Sequence, residues 1–170
     1  LMFINTKAQH LLAPADRNQF ETEAIQMIED GPEYAQAVLT KWATSYQLNK
    51  QIDLEHLSNV FLAKAFIELD KTEEAVAILN KLISKSTPYA EAMALKTLAT
   101  VDFKNGRFFA STVKIRAAMD LAKTNREEAL LAALQEDLAQ VFDKISKPDK
   151  AIQFYKRSMQ LNTKLDNKLA

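Results

Sequence analysis

Few residues in this 170-residue chain could do chemistry, and their spacing argues against most of it. There are two histidines, His10 and His56, far apart in the chain, and no cysteine. A transition-metal site wants three or four imidazole, thiolate or carboxylate ligands at short spacings, so each histidine reads as a surface or interfacial residue. Serine nucleophiles of the G-x-S-x-G kind need a strained turn. That run does not occur, and two glycines could hardly build such a turn or a phosphate-cradling loop. The adjacent glutamates Glu73–Glu74 and Glu127–Glu128 are the nearest approach to an acid/base pair. Both pairs fall where a helix should begin, and a carboxylate there complements the positive end of the helix dipole. Capping and solvation is the stronger reading. The expectation is a binding segment with no catalytic, metal or cofactor site of its own, although a catalytic domain could be attached to it.

The elements that position any site must be helices. Apolar residues make up 48% of the chain and charged residues 26%, the balance of a folded domain rather than a disordered one. Only 2 Gly and 4 Pro are present, which predicts few turns of positive φ. Runs such as "EEALLAALQEDLAQVF" are rich in strong helix formers. The longest unbroken apolar stretch, "ALLAAL" at 129–134, is far short of the roughly 20 residues of a membrane span. Lys+Arg and Asp+Glu are both 22. Residues 1–90 hold 8 basic and 12 acidic side chains and residues 91–170 hold 14 and 10, so the halves carry −4 and +4. With a neutral overall charge, no basic block and no interleaved aromatics, nucleic acid is not an expected partner. The absence of cysteine fits cytosol and periplasm equally.

One phrase recurs: "LAKAFIELDKTEEA" at 62–75, "LATVDFKNGRFFAS" at 98–111 and "LAQVFDKISKPDKA" at 138–151. Aligned, these give Leu62, Leu98 and Leu138, then small residues Ala63, Ala99 and Ala139. Phe66, Asp102 and Phe142 follow, and then a turn at Asp70, Gly106 and Ser146. Beyond the turn come small Ala75, Ser111 and Ala151, and large Leu79, Ile115 and Tyr155. The copies lie 36 and then 40 residues apart, and the longer register continues through Met119/Met159 and Leu121/Leu161. Apolar positions three and four apart lay one stripe on each helix, and the small residues let two axes approach. Each copy therefore predicts a helix, a tight turn and a second helix. Such a pair cannot bury its face alone and must stack on another. Thr87-Pro88 reads as a helix start, and Asn125 with Glu128 as a capping box. Upstream, 17–30 and 31–48 read as two amphipathic helices broken at Gly31-Pro32, a degenerate repeat or cap. Residues 49–53 read as a connector, and 3–14 as a further helix or a loose end.

This pattern of Leu, small, aromatic, turn and small resembles the tetratricopeptide repeat, over about residues 57–165. It departs from that family at Asn59, Leu95 and Gln135, where a tryptophan is usual, at Ala63, Ala99 and Ala139, where glycine is usual, and at Asp102. The long spacing and the phrase "SMQLNTKLDNKLA" at 158–170 resemble variant repeats of bacterial signalling proteins. The resemblance implies an all-α fold of antiparallel helix pairs stacked into a right-handed superhelix. Residues 1–50 would form an N-terminal cap. Residues 51–170 would form three repeats (about 57–88, 89–124 and 125–165) and the start of another. The chain's beginning at Leu1 and its closing phrase lead to the expectation of a segment from a longer protein.

In this family the first helix of each pair lines a concave groove. Carried over by register, the groove would show Lys64, Ile67 and Glu68, then Lys96, Thr100, Phe103 and Lys104, then Glu136, Gln140, Asp143 and Lys144. Its middle would be basic, with Phe103 as an apolar anchor for a bound peptide. The clamp that some members use for chaperone C-termini would fall on Val60, Lys64, Thr97, Ala133 and Asp137, where only Lys64 is basic, so that subtype is not expected. The implied role is protein or peptide binding, as the sensor or regulatory region of a signalling protein of histidine kinase or diguanylate cyclase type. Alternatives are a stand-alone adaptor or scaffold and a dimerisation region appended to an enzyme, with a homodimer left open. No cofactor and no membrane insertion are implied.

Overall fold

The computed structural model describes residues 16–169, which form eight α-helices: α1 (Arg17–Asp30), α2 (Pro32–Leu48), α3 (Ile52–Glu68), α4 (Thr72–Leu82), α5 (Pro88–Lys104), α6 (Phe108–Thr124), α7 (Glu128–Lys144) and α8 (Pro148–Leu169). The expectations for His10 and for 3–14 lie outside the described residues. Two compact units divide the chain at residue 90.

The helices are joined by one turn used again and again. Asp70, Gly106 and Ser146, the three aligned turn residues, each take left-handed backbone with φ of 58°, 72° and 57°. Two backbone bonds close each turn. The Asp70 amide donates to the Ile67 carbonyl and the Lys71 amide to the Phe66 carbonyl, and the same offsets recur around Gly106 and Ser146. This is the Schellman closure, which satisfies the last carbonyls of a helix. Lys50 and Arg126 repeat it between hairpins. The expectation of few positive-φ turns is therefore corrected. Left-handed backbone also occurs at Lys50, Asp70, Ser84, Arg126 and Ser146, none of them glycine. The two backbone bonds and the packing of the flanking helices hold side chains in a region that costs roughly 1–2 kcal/mol per residue.

In the first unit, α1 packs on α2 and α3, α2 on α3, and α3 on α4. Phe20 of α1 sits fully buried against Trp42 and Tyr46 of α2 and Phe61 of α3, with ring centroids 5.5, 6.1 and 5.6 Å away. Gly31 and Pro32 break α1 from α2 as the sequence predicts. The connector after α2 is shorter than 49–53, because α3 already begins at Ile52. His56 lies partly buried on α3, and its Nδ1 accepts the Thr87 amide at 3.2 Å, just ahead of Pro88.

In the second unit, α6 packs on α7 and α7 on α8. The buried Ser111 hydroxyl of α6 donates to the Ala99 carbonyl of α5 at 2.9 Å. One sequence reading fails here. Asn125 does not cap α7: its side chain donates back to the Leu121 carbonyl at 2.8 Å and finishes α6 instead. Helix α8 is continuous from Pro148 to Leu169.

Asp102, which departs from the aromatic of the other copies, is buried between Arg107 Nε at 2.8 Å and Lys114 Nζ at 2.5 Å. Burial pushes its carboxyl up, but the hydrogen bonds and charges of Lys114 and Arg107 outweigh that and hold it below the usual range. One repeat later the positions of Asp102 and Lys114 are Phe142 and Phe154, which stack with centroids 5.6 Å apart. The same contact is thus made by an ion pair in one hairpin and by an aromatic pair in the next. Breaking one half of a buried pair strands a charge, whereas replacing both halves by packed apolar groups can be neutral. Asp102→Phe and Lys114→Phe should each destabilise by about 1–3 kcal/mol, and the double variant should recover most of that loss in urea unfolding. Additive losses would show that the two positions are not coupled.

Candidate functional site

The residues expected to line a groove fall in both units. Lys64, Ile67 and Glu68 lie on α3 in the first; the other eight lie on α5 and α7 in the second. Lys64 is half-buried with its ammonium 4.2 Å from the centre of the Phe61 ring, and Glu68 is exposed.

In the second unit, four of the expected residues meet. Lys96, Thr100 and Phe103 of α5 and Gln140 of α7 line a cleft of about 240 Å³. Its other walls are Ala99 of α5, Ser111 and Ile115 of α6, and Asp137 and Val141 of α7. Ala99, Ile115 and Val141 are buried and make an apolar floor, while Thr100 and Gln140 are exposed at the rim. Phe103 is half-buried, held edge-on against Phe108 at 5.6 Å. Register places these residues together. Lys96, Thr100 and Phe103 of α5 lie across the cleft from Asp137 and Gln140 of α7.

The electrostatics differ from the expected basic middle. Lys96 Nζ meets Asp137 Oδ2 at 2.7 Å across the cleft, so its charge is neutralised within the fold. Asp137 is not among the expected groove residues because its partner sits in the preceding repeat, and a charge count along one helix does not find the pair. Lys104, Glu136, Asp143 and Lys144 are exposed and do not line the cleft. Among the described residues no group of three or more His, Asp or Glu is placed to hold a metal ion. The cleft offers an apolar floor, a hydroxyl, an amide and a fixed ion pair. These are groups for holding a side chain and its backbone.

A second cavity, of about 380 Å³, was not expected. Ala122, Lys123, Arg126, Glu128, Leu131, Leu161 and Lys168 line it, at the meeting of α6, α7 and α8. Glu128 accepts from Lys164 and Lys168, each at 2.6 Å, and so ties the far end of α8 to the start of α7. One of the paired glutamates read as a cap is therefore a clamp.

No model of a known protein family matches this sequence, and no curated protein is detectably similar to it. The structure itself establishes an all-α chain of helix hairpins, packed in sequence order within each unit, consistent with a helical-repeat fold.

The hydrogen bonds from Lys164 and Lys168 lower the Glu128 pKa from 4.5 to about 2. A depressed carboxylate stabilises the fold above its unfolded value and loses that contribution as pH falls through its folded one. Amides near the end of α8 should therefore lose hydrogen-exchange protection between about pH 4.5 and 2. Glu128→Gln should produce the same loss at neutral pH. Protection that is unchanged in the variant would remove the clamp from the account.

Proposed function

We propose that this chain is a protein- or peptide-binding module of the tetratricopeptide-like helical-repeat type, and that the cleft between α5, α6 and α7 receives its ligand. The observation that carries this reading is the composition of the cleft, apolar at the floor and polar at the rim. A volume of about 240 Å³ is smaller than the roughly 300–1,000 Å³ of pockets that enclose a whole small molecule. It suits one or two side chains of a longer ligand lying across the rim. Phe103 supplies the apolar wall, Thr100 and Gln140 can pair with backbone, and the Lys96–Asp137 pair presents one charge of each sign. A right-handed superhelix and a sensor role in a signalling protein are the finer forms of this proposal. Both rest on the resemblance of the repeat pattern.

Peptides selected from a random displayed library against the whole chain should define the ligand. Titrated by fluorescence anisotropy, they should bind Phe103→Ala about tenfold more weakly, the effect of losing one anchoring side chain, and Gln140→Ala more weakly by a smaller factor. Selected peptides whose affinity ignores both substitutions would place binding elsewhere.

A further inference from the structure

Helices α6 and α8 are the same element one repeat apart, and their inner faces match. Ser111 and Ala118 are buried in α6, as are Ala151 and Ser158 in α8. Their other faces do not match. Ile115 and Met119 are 1% and 6% exposed, in a helix that α7 packs against. The corresponding Tyr155 and Met159 are 36% and 68% exposed, and Ile152, one turn earlier, is 50% exposed. Spacings of three and four residues put these three on one stripe. The last described helix thus presents the apolar stripe that the preceding repeat covers with a neighbouring helix.

The charge around the stripe indicates its occupant. Asp137 is paired with Lys96, and Glu128 with Lys164 and Lys168, which leaves Glu136 and Asp143 on α7 and Lys150, Lys156 and Arg157 on α8 as the charges available beside the stripe. Lys156 lies four residues after Ile152 and three before Met159, at the edge of the stripe. On the α7 side, Asp143 and Glu136 act on the Tyr155 phenol, which burial first and then these two carboxylates push up. One face therefore holds the carboxylates Glu136 and Asp143, an apolar stripe and the ammonium of Lys156 side by side. Such a surface complements itself under a twofold rotation, because the Lys156 edge of each molecule can meet the Glu136 and Asp143 edge of the other. Stacking α8 directly on α8 would oppose like charges.

From this we infer that two copies of the chain pair through the α7–α8 face. Ile152, Tyr155 and Met159 are buried at the centre, and Lys156 of each molecule meets Glu136 or Asp143 of the other. This pairing is independent of the cleft and of any peptide in it.

Multi-angle light scattering on the whole chain over a range of concentrations tests the inference. The expected result is a mass approaching twice 19.2 kDa. Met159→Glu should return the chain to the monomer mass at the same concentration, with helical circular dichroism unchanged because the side chain is exposed. Glu136→Lys and Lys156→Glu should each weaken pairing several-fold, and the two together should restore much of it. That swap involves only exposed side chains, so it decides the matter even if Met159→Glu disturbs the helix. A monomer at every concentration would overturn the inference. So would a dimer that survives Met159→Glu and responds to neither charge reversal.

Discussion

The structure depends on one backbone constraint. Five of the eight described helices end where a single residue turns left-handed and two amides reach back to close the last turn. This happens at Lys50, Asp70, Gly106, Arg126 and Ser146 with the same pair of hydrogen bonds. Identical closures send the chain out of one helix and into the next in the same way, so the small residue just beyond each hairpin turn is placed against the helix before it. Ala75, Ser111 and Ala151 are all buried just after such a turn. Four of the five residues pay a conformational cost that glycine would avoid. They hold the geometry because the helices on both sides are packed.

With that frame fixed, the chemistry of individual contacts can vary. Asp102 with Lys114 and Phe142 with Phe154 occupy corresponding places, one pair ionic and the other aromatic. The cleft arises where successive first helices face each other and the side chains between them do not fill the gap. The ion pair between Lys96 and Asp137 spans that gap and sets its charge near zero. The clamp of Glu128 on Lys164 and Lys168 belongs to the same logic, since it connects one helix pair at the end where its packing would otherwise fray.

Much of this was legible in the sequence because repetition amplifies weak signals. A single Leu-Ala pair or a single Ser in a turn means little. Three aligned copies located Asp70, Gly106 and Ser146, and the groove register brought Lys96, Thr100, Phe103 and Gln140 to one cleft. What escaped notice was set by partners distant in sequence or by backbone bonds indifferent to residue type. Lys50 lies in the expected connector, but neither it nor Arg126 is a residue type that marks itself as the left-handed one. Asn125 looked like an N-cap, yet the connector is so short that its amide serves the helix before it. Asp137 neutralises a lysine one repeat away. Phe109, a large apolar residue beside the turn, is 84% exposed. Its aligned neighbour Asp149 already marked that position as facing solvent.

The shared left-handed turn can be observed directly by nuclear magnetic resonance. At positive φ the amide proton lies closer to its own Hα than in a helix or a strand, so the intraresidue Overhauser effect is strong. The account predicts strong effects at Lys50, Asp70, Arg126 and Ser146, each isolated between helical neighbours with weak ones. Ordinary weak effects at these residues would mean that the hairpins do not share one closure. The repeat register, and the cleft built on it, would then be wrong.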